Sequence, residues 1–459
     1  MGCRAAPRHR TDPDVLSAPA DVAVERLHTW AQIPPKPREP RGRPDRVVTE
    51  SLTRPRVVLL AIGAGLAVAS DYYVQPLLPA LQRSLHFGGG LAGLTVTISQ
   101  AGYAVGLMLL VPLADRVDRR RLILILSTGT ALALAGLASA QSAPQALAAA
   151  ALVGALSVVA MVLVSFAAGL AGDKQRGTVV AAVMSRVLVG VVAARVASGA
   201  IAQLGGWRVV FFVAAGLMLG STASLAWCLP QSPSETRVTY QRLVASTWTL
   251  IRAEPVLRWR MALGATAFGG FSVLWTSIAF LLSGPPYHYG SATIGLVGLV
   301  GVAGLVAANV AGRLADAGRV RLTTMVAATL LFACWWPIAL GRDQIVALLA
   351  GVVVLDLAVH GLHISNQSAI YALRPEARGR ITSGYILGYF AGGVAGSAVS
   401  AIAYAHDGWG AVCLVGAAFG LAGVVLCLVG ETRGLVRGGR PPARVEGRGQ
   451  PGATRARGR

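Results

Sequence analysis

Asp356, His360, His363 and Gln367 lie inside an apolar run, "VVVLDLAVHGLHISNQ", at spacings of four, three and four residues. At about 100° and 1.5 Å per residue, a helix gathers them within about 60° of arc over some ~16 Å. An ionisable side chain in such a setting is a functional group by default. Histidine titrates near neutral pH, so Asp356, His360 and His363 are candidates to carry protons. Asn366 and Gln367 could orient a ligand by hydrogen bonding. The bland reading is a polar stripe packed against a neighbouring helix with its hydrogen bonds satisfied. Asp-x-x-x-His-x-x-His also has a metal-ligand spacing, but no fourth ligand stands near it, so no metal site is expected.

Two further apolar runs carry groups of the same kind. "SDYYVQP" supplies Asp71, a fourth candidate for proton handling, with Tyr72, Tyr73 and Gln75 as candidate contacts for a partly apolar ligand. Arg186 and Arg195 are nine residues apart on one helix, hence on opposite faces. Asp71 and Arg195 come at similar depth, so a buried Asp71–Arg195 pair is expected. Trp275 is a further candidate for the substrate cavity, against the alternative of a packed core tryptophan. Gly295, Gly298, Gly301 and Gly304, like Gly102 and Gly106, read as close helix packing. A nucleotide fingerprint would need a strand and a turn before them.

What positions these residues is a membrane. The 459-residue chain is 54% hydrophobic and 13% charged, against about 25% charged in a soluble protein. Twelve apolar runs of about 20 residues are present, from Val57–Leu81 to Gly410–Val429. They must be helices, because backbone groups in hydrocarbon have to be satisfied within the segment. The expected fold class is all-α integral membrane: twelve transmembrane helices in two pseudo-symmetric six-helix bundles, residues 57–229 and 261–429. Tails 1–56 and 430–459, basic and rich in Pro and Gly, read as disordered. The linker 230–260 has Tyr240, Val244, Trp248 and Ile251 on one helical face, as an amphipathic helix on the inner leaflet would.

With the amino terminus in the cytoplasm, only Arg83, Arg208 and Arg342 of the 41 basic residues fall in outer loops. The positive-inside rule therefore places both termini in the cytoplasm of a cell (plasma or inner) membrane protein. The formal charge of +21 sits in tails and short loops without interleaved aromatics, so no nucleic acid is expected as a partner. Five cysteines without a CxxC spacing suggest neither disulfide nor metal. The first 56 residues lack the apolar stretch of a signal peptide.

The halves repeat. "LAD" at Leu113–Asp115 recurs at Leu314–Asp316 with an offset of 201; "RG" at Arg176 and "GW" at Gly206 recur at Arg378 and Gly408 with an offset of 202. Parallel repeats of this kind mark transporters, with substrate held between the halves near the midplane. "VPLADRVDRRRL" resembles the G-x-L-A-D-R-x-G-R-R signature of the major facilitator superfamily, and "GRLADAGRVR" its echo. "YYVQPLLPAL", "SQAGYAVGL" and "ISNQSAIYALRP" are similar to a bacterial group of drug:proton-antiporter-type permeases within it. Val111 and Asp118 replace the two signature glycines. The antiporter pattern in the fifth span keeps Gly190 alone, and Ala150 stands where many drug antiporters have an arginine.

The resemblance implies that the first, fourth, seventh and tenth helices line a central cavity. It also implies that Asp115, Arg116, Arg119 and Arg120, echoed by Asp316 and Arg319, form a cytoplasmic gating loop that latches the halves. The expected function is secondary active transport, proton-coupled efflux of small organic molecules by alternating access, by a monomer without cofactors. A facilitator of the same fold is the near alternative. A membrane enzyme is disfavoured, because no nucleophile–base pair or metal cluster stands out.

Overall fold

The computed structural model describes residues 54–171, 176–230, 239–371, 373, 378–433 and 435. Both tails lie outside the described residues except at their membrane ends. Among the described residues eleven helices are long and apolar enough to cross a bilayer. The last, Gly379–Thr432, breaks at Gly408, where φ is 69° and ψ −152°, so it makes two crossings. The total is twelve, as the apolar runs imply.

The spans are Pro55–Leu85, Leu91–Asp115, Arg119–Ala138, Ala143–Leu170, a fifth within the helix Arg176–Gly205, Trp207–Cys228, Pro255–Ser283, Ser291–Asp316, Val320–Leu340, Ile345–Tyr371, and the two sides of Gly408. The repeat is visible in the backbone. Gly206, 202 residues before Gly408, also takes a positive φ, 82°, which a residue with a Cβ rarely adopts. It divides the fifth span from the sixth as Gly408 divides the eleventh from the twelfth. The tryptophan that follows each, Trp207 and Trp409, is buried.

Packing follows the same symmetry. The first span lies on the fifth, the second on the fourth and the third on the sixth; the seventh lies on the eleventh, the eighth on the tenth and the ninth on the twelfth. The two sets of six meet along two seams, fifth on eighth and second on eleventh. The linker helix Tyr240–Ala253 touches both sets: Tyr240 Oη donates to Leu109 O at 2.7 Å, and Ile251 is buried beside Gly384.

One boundary differs from the sequence reading. The seventh helix begins at Pro255, which suits a first helical turn because its missing N–H has no partner to lose there. Arg260, expected to end the linker, is instead fully buried within that helix.

Candidate functional site

Three spans depart from α-helical geometry where the polar residues gather. The first helix stops at Tyr72 because Pro76 has no N–H to give its carbonyl, and the chain resumes as a 3₁₀ turn, Gln75–Leu77. The eighth span passes through a 3₁₀ stretch, Gly298–Gly301, and the second begins with one, Gly88–Gly93. Mid-helix 3₁₀ stretches often mark hinges. The fifth span, which carries Arg195, packs against both the 3₁₀ turn of the first span and that of the eighth.

Arg195 is 2% exposed. Its Nε donates to Gln75 Oε1 at 2.7 Å. Its guanidinium lies 3.6 Å from the ring centroid of Trp275 and 5.2 and 5.4 Å from those of Tyr72 and Phe271. An arginine in an aromatic box keeps its charge with little water, because each ring face is electron-rich. Asp356, 1% exposed, approaches from the tenth span. A Cβ built on Gly301 would stand 3.4 Å from Asp356 Oδ2 and 3.7 Å from Arg195 Nη1, so the two charges share the space over that glycine.

Among the described residues, no hydrogen bond of ordinary geometry reaches either Asp356 oxygen, Arg195 Nη2 or Trp275 Nε1. His360, Arg195 and Trp275 are the electrostatic neighbours of the carboxylate. Buried polar atoms left unsatisfied are rare and call for a reason.

The rest of the tenth-span stripe divides. His360 Nδ1 bonds the backbone oxygen of Asp356 at 2.9 Å, not its carboxylate, and its ring fills the place of a side chain at Gly304. The direct Asp–His pair is therefore absent. His363 is held at both nitrogens, by Gln367 Nε2 at 3.1 Å and by Tyr385 Oη at 3.1 Å. With the amide donating to Nε2, Nδ1 carries the proton and donates to the phenol, which fixes the neutral ring. Asn366 faces elsewhere: its Oδ1 accepts from Arg260 Nη1 at 3.1 Å, which also donates to Thr324 Oγ1 at 3.1 Å.

Asp71 and Arg195 do not pair. Asp71 accepts from Ser99 Oγ at 2.5 Å, while Arg195 takes Gln75. In an unbroken helix Asp71 and Gln75 would share a face, and the break before Pro76 separates them. Tyr73 turns into an apolar cluster with Leu77 and Leu81, away from Arg195. Arg186 is exposed on the opposite face of the fifth helix, as the nine-residue spacing requires. The site thus joins Tyr72, Gln75, Arg195, Trp275 and Asp356.

In the loop expected to gate the inner face, Asp115 meets Arg119 Nη2 at 3.3 Å and Arg120 donates to Ala226 O at 2.5 Å. Its repeat counterpart Arg321 binds Glu431 through two contacts of 2.5 and 2.8 Å. Arg120 caps the end of the last helix of its half, where the helix dipole favours a cation, and Arg321 pairs with a carboxylate at the matching end of the other half. Arg116, Asp316 and Arg319 are exposed. Asp118, in a signature glycine position, accepts from Arg121 N at 2.8 Å and caps the third span.

Sequence reasoning missed Arg260, Phe271, Tyr385 and Gln100. Gln100 donates to Ser272 Oγ at 3.0 Å and accepts from Ser397 Oγ at 3.3 Å, which joins the halves on the second–eleventh seam. Arg260 stood among linker arginines and looked like one more inner-side charge. A buried amide or phenol carries no sequence signal of its own.

Twelve spans in two repeated sets, with a charged centre between them, define a membrane transporter. Residues 60–374 match the Major Facilitator Superfamily, and the chain belongs to that family. It is similar to "Uncharacterized transporter YgaY" of Escherichia coli O157:H7, 45% identical over 370 residues that make up 81% of this chain and 94% of the relative. "Probable transporter SCO4007" of Streptomyces coelicolor is 35% identical over 387 residues, 83% of this chain and 88% of the relative. Among solved structures, a D-xylose-proton symporter superposes with a TM-score of 0.67 at 15% identity, over 81% of this chain and 95% of that one. The nucleoside transporter NupG gives 0.64 at 15%, over 82% and 99%. Those two likenesses establish the fold. The protein is a multi-pass membrane transporter of small molecules, and the enzyme alternative falls away.

Proposed function

We propose that the protein is a proton-coupled exporter of small organic molecules that works by alternating access, with Asp356 as the group that takes and releases the coupling proton. One observation supports this above the others. Asp356 is sealed from solvent with neither oxygen hydrogen-bonded among the described residues. An ionised carboxylate is costly there, and protonation removes the cost. A group that must gain or lose a proton as water reaches it from alternate sides is a coupling element. His363, locked as the neutral ring between Gln367 and Tyr385, is a lesser candidate.

In this reading the monomer sits in the cell membrane with both termini cytoplasmic. The Asp115–Arg120 loop and its echo at Asp316–Arg319 gate the inner face, and the linker helix rests on the inner leaflet. Export follows from the likeness of the first, second and tenth spans to antiporter-type permeases.

The test uses purified protein in proteoliposomes with an imposed pH gradient, following internal pH and a panel of labelled drugs and metabolites together. A compound concentrated against proton flow, with that coupling lost in Asp356→Asn, is the expected result. Undiminished gradient-driven accumulation in Asp356→Asn rules out the role. Equilibration without proton movement makes the protein a facilitator.

A further inference from the structure

The central charges have free valences of opposite sign. Among the described residues no hydrogen bond of ordinary geometry reaches Arg195 Nη2 or either Asp356 oxygen, at 2% and 1% exposure, though Trp275 stands beside the carboxylate. Both reach within 4 Å of one point over Gly301. Beside them lies a narrow cavity of about 10 Å³ walled by Gln75, Arg195, Trp275, Ile278 and Ile294. That is room for about one water molecule, so a larger ligand enters only when the fifth–eighth seam parts. Its walls are apolar and aromatic except at the Arg195–Gln75 edge.

We propose that this is the substrate site and that its ligand class is a small zwitterion, an amine and a carboxylate on a compact apolar body. With the fifth–eighth seam parted, the carboxylate accepts from Arg195 Nη2, the ammonium donates to Asp356, and the apolar part lies beside Trp275 and Ile278. This rests on the transporter reading above and adds the chemistry of the cargo.

Charge balance selects the class. Arg195 and Asp356 together are neutral, and a zwitterion leaves the sealed centre neutral with both ions paired. A monocation would satisfy Asp356 and leave Arg195 in excess; a monoanion would do the reverse. An uncompensated buried charge is strongly destabilising. A neutral compound would leave both valences as they stand. The glycines of the eighth span fit this use, because a side chain at Gly301 would occupy the space both charges face. The same geometry explains competition: substrate ammonium and proton claim one carboxylate, so each displaces the other.

The experiment is equilibrium binding to the full chain in detergent, by calorimetric titration, with no gradient. Probes are L-alanine, L-leucine and L-phenylalanine, each with its amide, which lacks the carboxylate, and its N-acetyl derivative, which lacks the ammonium. At least one amino acid should bind roughly ten- to a hundred-fold more tightly than both of its derivatives. The double variant R195Q/D356N removes both charges together, which avoids an unpaired ion. It should remain folded and monodisperse and lose the preference. If no amino acid of the series binds, if a derivative binds as well as its parent, or if the double variant keeps the preference, the assignment is wrong. A protein that binds the zwitterion but moves no proton overturns the coupling alone. One that exchanges protons for a monocation or a neutral compound overturns the zwitterion alone.

Discussion

Replacing Gly106 by alanine separates close packing from a merely small-residue helix. A Cβ at Gly106 would stand 2.2 Å from Ala155 O in the fourth span, and one at Gly102 2.2 Å from Ala151 O. The obstacle is backbone oxygen, so no rotamer relieves it, and the second and fourth spans must part by about 1 Å. A gap of that size forfeits a quarter to a half of each dispersion contact along the seam. Overpacking of this kind costs about 1–3 kcal/mol, and contact with rigid backbone belongs at the upper end. Against it stands the gain of about 0.5–1 kcal/mol from replacing glycine in a helix. Gly106→Ala is therefore expected to destabilise by about 2 kcal/mol. Gly216 in the sixth span has no atom within 4 Å of its built Cβ, so Gly216→Ala should show the gain alone. The assay is unfolding of both variants in mixed micelles of rising SDS content, read by tryptophan fluorescence. If Gly106→Ala proves as stable as Gly216→Ala, the glycines are not holding the helices together and the seam is wrongly drawn.

Asp118→Ala should cost about 1 kcal/mol in the same assay, through loss of the cap on Arg121 N, while Asp118→Gly should cost only a few tenths. Ser99→Ala takes the donor from Asp71 and should lower stability by about 1.5–3 kcal/mol, whereas Ser99→Thr, which keeps a hydroxyl, should retain most of it. Gly295→Ala would set a Cβ 2.5 Å from Arg195 O on the fifth–eighth seam. Because that seam joins the halves, the variant should favour the state with the seam open, seen as a longer spin-label distance between the ends of those two spans; an unchanged distance distribution would refute this.

The fold was legible because its constraints are coarse. Twenty apolar residues can only be a span, and the paired motifs at offsets of 201 and 202 recur as paired structure, down to the positive φ of Gly206 and Gly408. The site was half legible. A buried charge announces itself, so Asp356 and Arg195 were found, and the nine-residue spacing already put Arg186 on the other face. Which charges meet was not legible, because the phase of the first helix depends on a break at Tyr72, forced by a proline four residues on. The glycines of the eighth span were read as packing. Their packing partners include polar side chains the sequence singled out, Arg195 at Gly298 and His360 at Gly304.

The repeat also explains why the charges lie on one seam. By the 201 offset Gln100 corresponds to Gly301, and by the 202 offset Arg195 corresponds to Ser397. These four residues face each other as equivalents. On the second–eleventh seam the large group is Gln100 and the small one Ser397, hydrogen-bonded at 3.3 Å. On the fifth–eighth seam the large group is Arg195 and the small one Gly301, with Asp356 entering from the tenth span. One geometry is thus filled twice, once with neutral groups that satisfy each other and once with charges that do not. A proton or a charged ligand changes the electrostatic energy of the second arrangement far more than the first. If charge drives the switch between states, the fifth–eighth seam is where it must act, and the neutral seam can pivot without a change in its own bonding.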